Sequence, residues 1–237
     1  MENKITGLKE HFILCGFGKV GEEITNTFRA EEVPFVIIDN RPGCIARIEQ
    51  ADYLYLEGDA TRDEMLKEAG VEQAKDLVAA VGTDTDNTYI TLSARGLRPD
   101  LFIEARASNE EARTKLKRAG DDRVLLPHNV GGQHMAMLAL RPAVVDCIDT
   151  VIYSRGREMQ LEDVDIGQNS RLVGLTIKAT QSETGVTVLV IQKQSDALLP
   201  NPPDEEIIED GDQLIVIGTK QQLAAREEAL ETGKPSR

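Results

Sequence analysis

The chain's 237 residues are 41% hydrophobic and 29% charged, enough for one large core or two modest ones and unlike a disordered chain. Its 41 acidic and 27 basic side chains leave a formal charge of −14, which argues against DNA, RNA and anionic membranes as partners, since phosphate neutralisation needs basic clusters. No apolar run reaches the roughly 18 residues that span a bilayer, and MENKITGLKE lacks a signal peptide's apolar core, so a cytoplasmic location without direct membrane insertion is expected.

The first predicted element is Phe12 to Cys15, a short apolar run with the bulk of a buried strand. Gly16, Gly18 and Gly21 follow at the GxGxxG spacing. In such a loop the first glycine allows a tight turn, the second admits a pyrophosphate to the backbone, and the third lets a helix pack closely. A glycine-rich strand end also serves as a plain turn, so the context matters. Lys19 to Ala30 reads as a helix with Val20, Ile24, Thr27 and Phe28 on one buried face, and Val33 to Ile38 as a second buried strand. Asp39 ends it, near the spacing at which a carboxylate accepts hydrogen bonds from an adenosine ribose. The run Asp39-Asn40-Arg41-Pro42-Gly43 equally suits a turn. An acid at the ribose repels a 2′-phosphate, which favours NAD, ADP or ATP over NADP, while Arg41 keeps NADP open.

Strands are then predicted at Tyr53 to Leu56, Leu77 to Val81 and Leu101 to Ala105, with a short sixth at Val124 to Leu126. Helices lie between them at Arg62 to Glu68, Asp84 to Arg95 and Asn109 to Arg118, ended by Gly70, Gly96 and Gly120 in the left-handed conformation. Strict alternation implies a Rossmann-like, doubly wound parallel sheet over residues 10–127, an α/β lobe. Pro127 interrupts it. A helix from Val130 to Leu140, a break at Arg141-Pro142 and a helix from Ala143 to Thr150 form a helix-turn-helix crossover over residues 128–152. Its Met, Leu and Val side chains either close the sheet or are buried by another subunit. Residues 153–232 read as a smaller α+β lobe, with strands in REMQLEDVDI, GVTVLVIQK and GDQLIVIG and helices at Leu172 to Thr180 and Gln221 to Leu230.

Little in this pattern is catalytic. Cys15, Cys44 and Cys147 show neither CxxC spacing nor an even count, and His11, His128 and His134 form no HExxH motif. His134, among Met135, Met137 and Leu138, suits packing or an interface. Tyr53, Tyr55, Tyr89 and Tyr153 are followed four residues on by Glu57, Asp59, Ser93 and Arg157, so the Tyr/Lys pair of short-chain dehydrogenases is missing. A dinucleotide-dependent oxidoreductase is a minor alternative.

The stretches LKEHFILCGFGKVG, IIDN, EGDAT, AVGTDTDNT, IEARAS, KLKRAGDDRVLLPHNVGGQHMA, LRPAVVDCID and PPDEEIIEDGDQLIVIGT occur in order along the chain. Together they resemble the RCK module, the regulator of potassium conductance, of TrkA-N plus TrkA-C type. The resemblance implies a cytoplasmic gating-ring subunit of a prokaryotic ligand-gated potassium channel. The alternative it carries is a peripheral subunit of a Trk/Ktr potassium-uptake system. ITGLKEH and LRPAVVDCID resemble the channel type more, which would place Met1 just past an inner pore helix. It further implies a transmembrane pore as partner at the inner face of the membrane, dimers, an octameric ring, and NAD(H), ADP, ATP or AMP as ligand. Carried over by position, Gly16, Phe17, Gly18, Lys19, Val20 and Gly21 would wrap the phosphates. Asp39 and Asn40 would hold the ribose, and Asp59 with Ala60 would border the adenine. Thr83 and Asp84 would follow the fourth strand, and Arg106 would face the ligand from the fifth. Lys19 and Arg106 also read plainly as solvated charges at strand ends. Calcium-gated relatives place two carboxylates two residues apart on the fifth strand. Here Glu104 is followed by Arg106, and Val81 takes the fourth-strand acid position, so that calcium site is not expected. Glu205-Glu206 and Glu209-Asp210 read as solvated loop charges, with a divalent cation at a subunit contact as the alternative.

Overall fold

A computed structural model describes residues 5, 7–153, 160–167, 170–195, 197–219 and 221–223. The chain forms two compact units, Met1–Ala136 and Met137–Arg237.

In the first unit, β1 (Phe12–Cys15), α1 (Lys19–Ala30), β2 (Phe35–Asp39), α2 (Pro42–Gln50), β3 (Tyr55–Glu57), α3 (Asp63–Glu68), β4 (Asp76–Ala79), α4 (Asp84–Leu97), β5 (Phe102–Arg106), α5 (Glu110–Ala119) and β6 (Arg123–Leu125) alternate. The strands form one parallel sheet in the order β3-β2-β1-β4-β5-β6. The expected doubly wound topology is therefore present, and the connection reverses direction between β1 and β4, where a crevice opens at the strand C-termini. Apolar side chains alternate between two covered faces. Ile13, Cys15, Val36, Ile38, Leu77 and Ile103 pack with Leu66, Ile90, Ala94 and Leu116 of α3, α4 and α5. Leu14, Ile37 and Val78 pack on the other face with Cys44, Ile45 and Ile48 of α2 and with Ile24 and Phe28 of α1. Each fully buried aliphatic side chain contributes roughly 1.5 to 3 kcal/mol to this double layer.

Several details depart from expectation. The run after Asp39 opens a helix rather than a free turn: Pro42 occupies the first turn of α2, where its fixed φ and missing N–H cost nothing. On α1, Thr27 is exposed and Val20, Ile24 and Phe28 are half-buried, while Gly21 and Thr25 are the buried residues. Gly70 and Gly120 have positive φ, as expected, but Gly96 lies inside α4, which continues to Leu97. That helix stops at Arg98 because Pro99 forces the preceding residue into an extended conformation, φ −140°.

α6 (Pro127–Leu140) starts at Pro127 itself, and the division between the units falls within it. No residue of α6 is buried: Met135 is 72% and Leu140 76% exposed. α7 (Pro142–Tyr153) follows, with Val145 buried and Val144 and Ile148 about half exposed.

The second unit contains β7 (Gln160–Asp165), α8 (Ile177–Thr184), β8 (Thr187–Gln192), β9 (Leu198–Pro200) and β10 (Gln213–Gly218). Its strands form an antiparallel sheet in the order β7-β10-β8-β9. Alternating Leu214 and Val216 on β10 meet Val164, Val188, Ile191 and Ile177 in a separate core. The expected helix at Leu172 to Thr180 is displaced. Residues 171–174 turn, with Gly174 at φ +85°, and Thr176 caps α8 by accepting from the Ala179 N–H. Of the helix expected at Gln221 to Leu230, only residues 221–223 are described; residues 1–4 and 6 of the N-terminal segment and 157–159 of REMQ also lie outside the described residues.

Candidate functional site

The crevice end of β1 is built by three glycines with different duties. At Gly16 φ is +102°, and a Cβ there would lie 2.9 Å from the Ala80 and Val81 backbone. At Gly21 a Cβ would stand 2.0 Å from the carbonyl oxygen of Gly16, so α1 can rest on β1 only through a bare Cα. Gly18 meets no such limit: a Cβ there would have only the guanidinium nitrogens of Arg41 within reach, at 3.9 Å. Gly18 is also the N-cap of α1 and offers its first turn no side chain, leaving N–H groups and the positive end of the helix dipole directed at the crevice. Lys19 stands exposed beside them, and Val20 is half-buried. Phe17 turns inward, 3% exposed, and its ring meets Tyr53 and the Arg47 guanidinium.

Asp39 joins this loop to β2. Its Oδ2 accepts the Phe17 N–H at 2.7 Å and Arg41 Nη2 at 2.5 Å, and its Oδ1 accepts the Arg41 N–H at 2.8 Å and Nε at 3.0 Å. Burial opposes the charge of Asp39, but the hydrogen bonds from Arg41 and Phe17 outweigh it and hold the carboxyl below its ordinary range. The Asp39 side chain is 2% exposed and that of Arg41 is 50% exposed, so the cation covers the acid from the solvent side.

A cleft of about 240 Å³ opens beside this pair, bordered by Asp39, Asn40, Arg41, Gly58, Asp59, Ala60, Thr61, Gly82, Thr83 and Asp86. Among the residues singled out by sequence, Asp39, Asn40, Asp59, Ala60 and Thr83 thus share one wall-to-wall space. Asp59 Oδ1 accepts from the N–H and hydroxyl of Thr61, which fixes the loop after β3. Thr83 caps α4 by accepting from the Asp86 N–H. The glycine loop, Asp84 and Arg106 do not border the cleft. Asp84 accepts from the Ser108 N–H at 2.9 Å and from its hydroxyl. Arg106 donates to the Gly82 carbonyl at 3.2 Å, and its Nε is buried without a hydrogen-bond partner.

Two positioning residues were not singled out by sequence. Asn87, fully buried on α4, accepts the Val81 N–H and donates to the carbonyls of Val81 and Arg106, clamping the ends of β4 and β5. The signal was an amide at helical spacing with Thr91 and Ala94 on an otherwise apolar face. Arg47 reaches from α2 to the Phe17 carbonyl and to Glu22, holding the glycine loop from outside. Among the described residues no group of three or more His, Cys, Asp or Glu is placed to hold a metal ion. No helix among them is long and apolar enough to cross a membrane.

A parallel sheet of this order, with a GxGxxG loop after its first strand and an acid ending its second, is a Rossmann-type lobe of the nucleotide-binding class. The sequence matches the TrkA-N domain over residues 12–127 and the TrkA-C domain over residues 161–230. It is 35% identical to the probable potassium channel protein 2 of Methanocaldococcus jannaschii, over 99% of this chain and 71% of that protein. It is also 35% identical to potassium channel protein 1 of the same organism, over 94% of this chain and 67% of the other. The structure of the GsuK channel bound to NAD is similar at 26% identity and a TM-score of 0.51, over 93% of this chain and 38% of that one. The chain thus spans well under half of that channel's length. The chain belongs to the RCK family of potassium channel regulatory proteins.

Proposed function

We propose that the chain is the ligand-sensing module of a potassium channel, at the inner face of the membrane, and that its ligand is NAD(H) or an adenine nucleotide. The observation that carries this reading is Asp39, a buried carboxylate at the end of β2 whose neighbour Gly18 is the one open glycine of the loop. The NAD-bound GsuK channel supports it by similarity. In this reading Gly16 to Gly21, with Lys19, receive the phosphates, Asp39 and Asn40 the ribose, and Asp59 and Ala60 the adenine. Thr83 borders the far side, and Asp84 and Arg106 stand behind it, fastening the adjoining loops through Ser108 and the Gly82 carbonyl. The module is regulatory rather than catalytic. Residues 10–127 bind the ligand, 128–152 join subunits through the exposed apolar side chains of α6, and 153–232 complete an octameric ring. Driving a gate from nearly closed to nearly open takes about 5.5 kcal/mol of differential binding, so each of eight modules supplies less than about 1 kcal/mol.

Calorimetric titration with NAD, NADH, ADP, ATP, AMP and NADP tests the reading. Micromolar binding of one adenine ligand is expected, with Asp39→Asn weakening it at least about 30-fold, since the charge-assisted ribose bonds are lost. Full affinity in that variant would remove Asp39 from the site, and binding of none of the ligands would overturn the reading.

A further inference from the structure

Asp39 is saturated. A carboxylate offers about four acceptor positions, two on each oxygen. Here each oxygen receives one backbone N–H, from Phe17 or Arg41, and one nitrogen of the Arg41 side chain. A ribose diol that donates to Asp39 must therefore take the two positions held by the guanidinium, because the backbone donors cannot leave without moving the chain. The guanidinium can leave. It is half exposed, and among the described residues Asp39 is its only hydrogen-bond partner. Its two Nη atoms also lie next to Gly18, at the face where a helix N-terminus accepts phosphate.

We propose that Arg41 is the specificity-determining residue of the cleft: it occupies the ribose positions on Asp39 and yields them to a ligand whose phosphate receives its guanidinium beside Gly18. This rests on the nucleotide reading above and adds the class of ligand selected. A nucleoside must break a bidentate ion pair and leaves the guanidinium in water. A nucleotide breaks the same pair and gives it phosphate oxygens, which suit a planar fork as well as a carboxylate does. The exchange conserves ion pairs for nucleotides and loses one for nucleosides, so the site discriminates against adenosine without touching its base.

The test is titration of the whole chain with ADP, and with adenosine in competition against ADP, for the wild type, Arg41→Ala and Arg41→Lys. In Arg41→Ala adenosine should tighten about tenfold, the equivalent of roughly 1.4 kcal/mol, while ADP changes by less than about threefold as the lost phosphate contact offsets the freed carboxylate. Arg41→Lys, with charge but no fork, should fall between. An ADP-to-adenosine ratio that stays within about twofold of wild type overturns the proposal and leaves the nucleotide reading intact, as does weaker ADP binding with adenosine unmoved. Failure of the wild type to bind ADP, NAD or any other adenine nucleotide overturns that reading, and the proposal with it.

Discussion

Each unit of the molecule buries a carboxylate against a cation, and the two pairs are built for different ends. In the second unit Asp212 accepts from Lys193 Nζ at 3.0 Å and from the Glu209 N–H at 2.9 Å. Lys193 is itself enclosed, 18% exposed, and also meets Glu206 at 3.1 Å, Glu209 at 3.3 Å and the Ile207 carbonyl. Glu206, read from sequence as a solvated charge, is thus part of a lock, while Glu209 joins it from a side chain that is 70% exposed, in keeping with that reading. Burial opposes the charge on Lys193, but the bonds to Asp212, Glu206 and Glu209 prevail and raise its pKa. In the first unit Asp39 is as deeply buried as Asp212, yet its cation stands half in solvent and, among the described residues, touches nothing else of opposite charge. The difference lies in the cation's other partners: a lysine tied on several sides cannot be exchanged, whereas an arginine tied on one side can.

The largest effect should come from breaking the lock. Lys193→Met leaves Asp212, Glu206 and Glu209 without their common cation and should destabilise the second unit by about 3 kcal/mol in denaturant titration. A loss below about 1 kcal/mol would show that the cluster tolerates its own repulsion. A partly buried carboxyl sharpens the contrast from the other side. Asp76, at the start of β4, has an Oδ1 that meets no donor, and burial together with the Glu104 charge pushes its pKa to about 7. Between about pH 4 and 7 the folded chain holds a proton that the unfolded chain has released, so this group makes stability fall as pH rises through that window. Asp76→Asn should flatten that slope and raise the melting temperature by about 2 to 4 °C at pH 8, measured by calorimetry. A lower melting temperature there would mean that the ionised form has a partner. Asp121, whose carboxyl takes the Thr91 hydroxyl and is likewise pushed by burial to about 7, adds a slope of the same sign. The smallest effect belongs to the exchangeable pair: Arg41→Ala should cost about 1 kcal/mol, the upper range for a partly exposed ion pair and in line with the roughly tenfold gain expected for adenosine. A loss above about 2 kcal/mol would make Arg41 a structural residue and erase the comparison.

What the sequence disclosed follows from how local each signal was. The apolar runs at Phe12 to Cys15 and Phe35 to Asp39, with glycines between, are contiguous, and they yield both strands, the helix and the loop. The helix at Pro42–Gln50 went unseen because Pro42-Gly43 looks like a turn until its role as a first helical turn is known. β9 is only Leu198–Pro200, too short for an alternation to show. Leu172, Leu175 and Thr176 have helical spacing, but Gly174 and the Thr176 cap put the helix further on. In the candidate site Asp39 was legible because its distance from the glycines is fixed by a strand-helix-strand unit. Its saturation was not, since nothing in Asp39-Asn40-Arg41 tells that the guanidinium folds back, or that the Phe17 N–H is committed to a side chain from another strand. The clamp made by Asn87 depends on two strand ends brought together by the fold.

The touch between Gly21 and the Gly16 carbonyl has a mechanical meaning. With no side chain between them, helix and strand meet backbone on backbone, a joint without slack in an interior that packs as densely as a crystal. α1 is therefore seated in one register on β1: the direction of its axis, from Gly18 to Ala30 over roughly 18 Å at the helix rise of about 1.5 Å per residue, is set where it leaves the glycine loop.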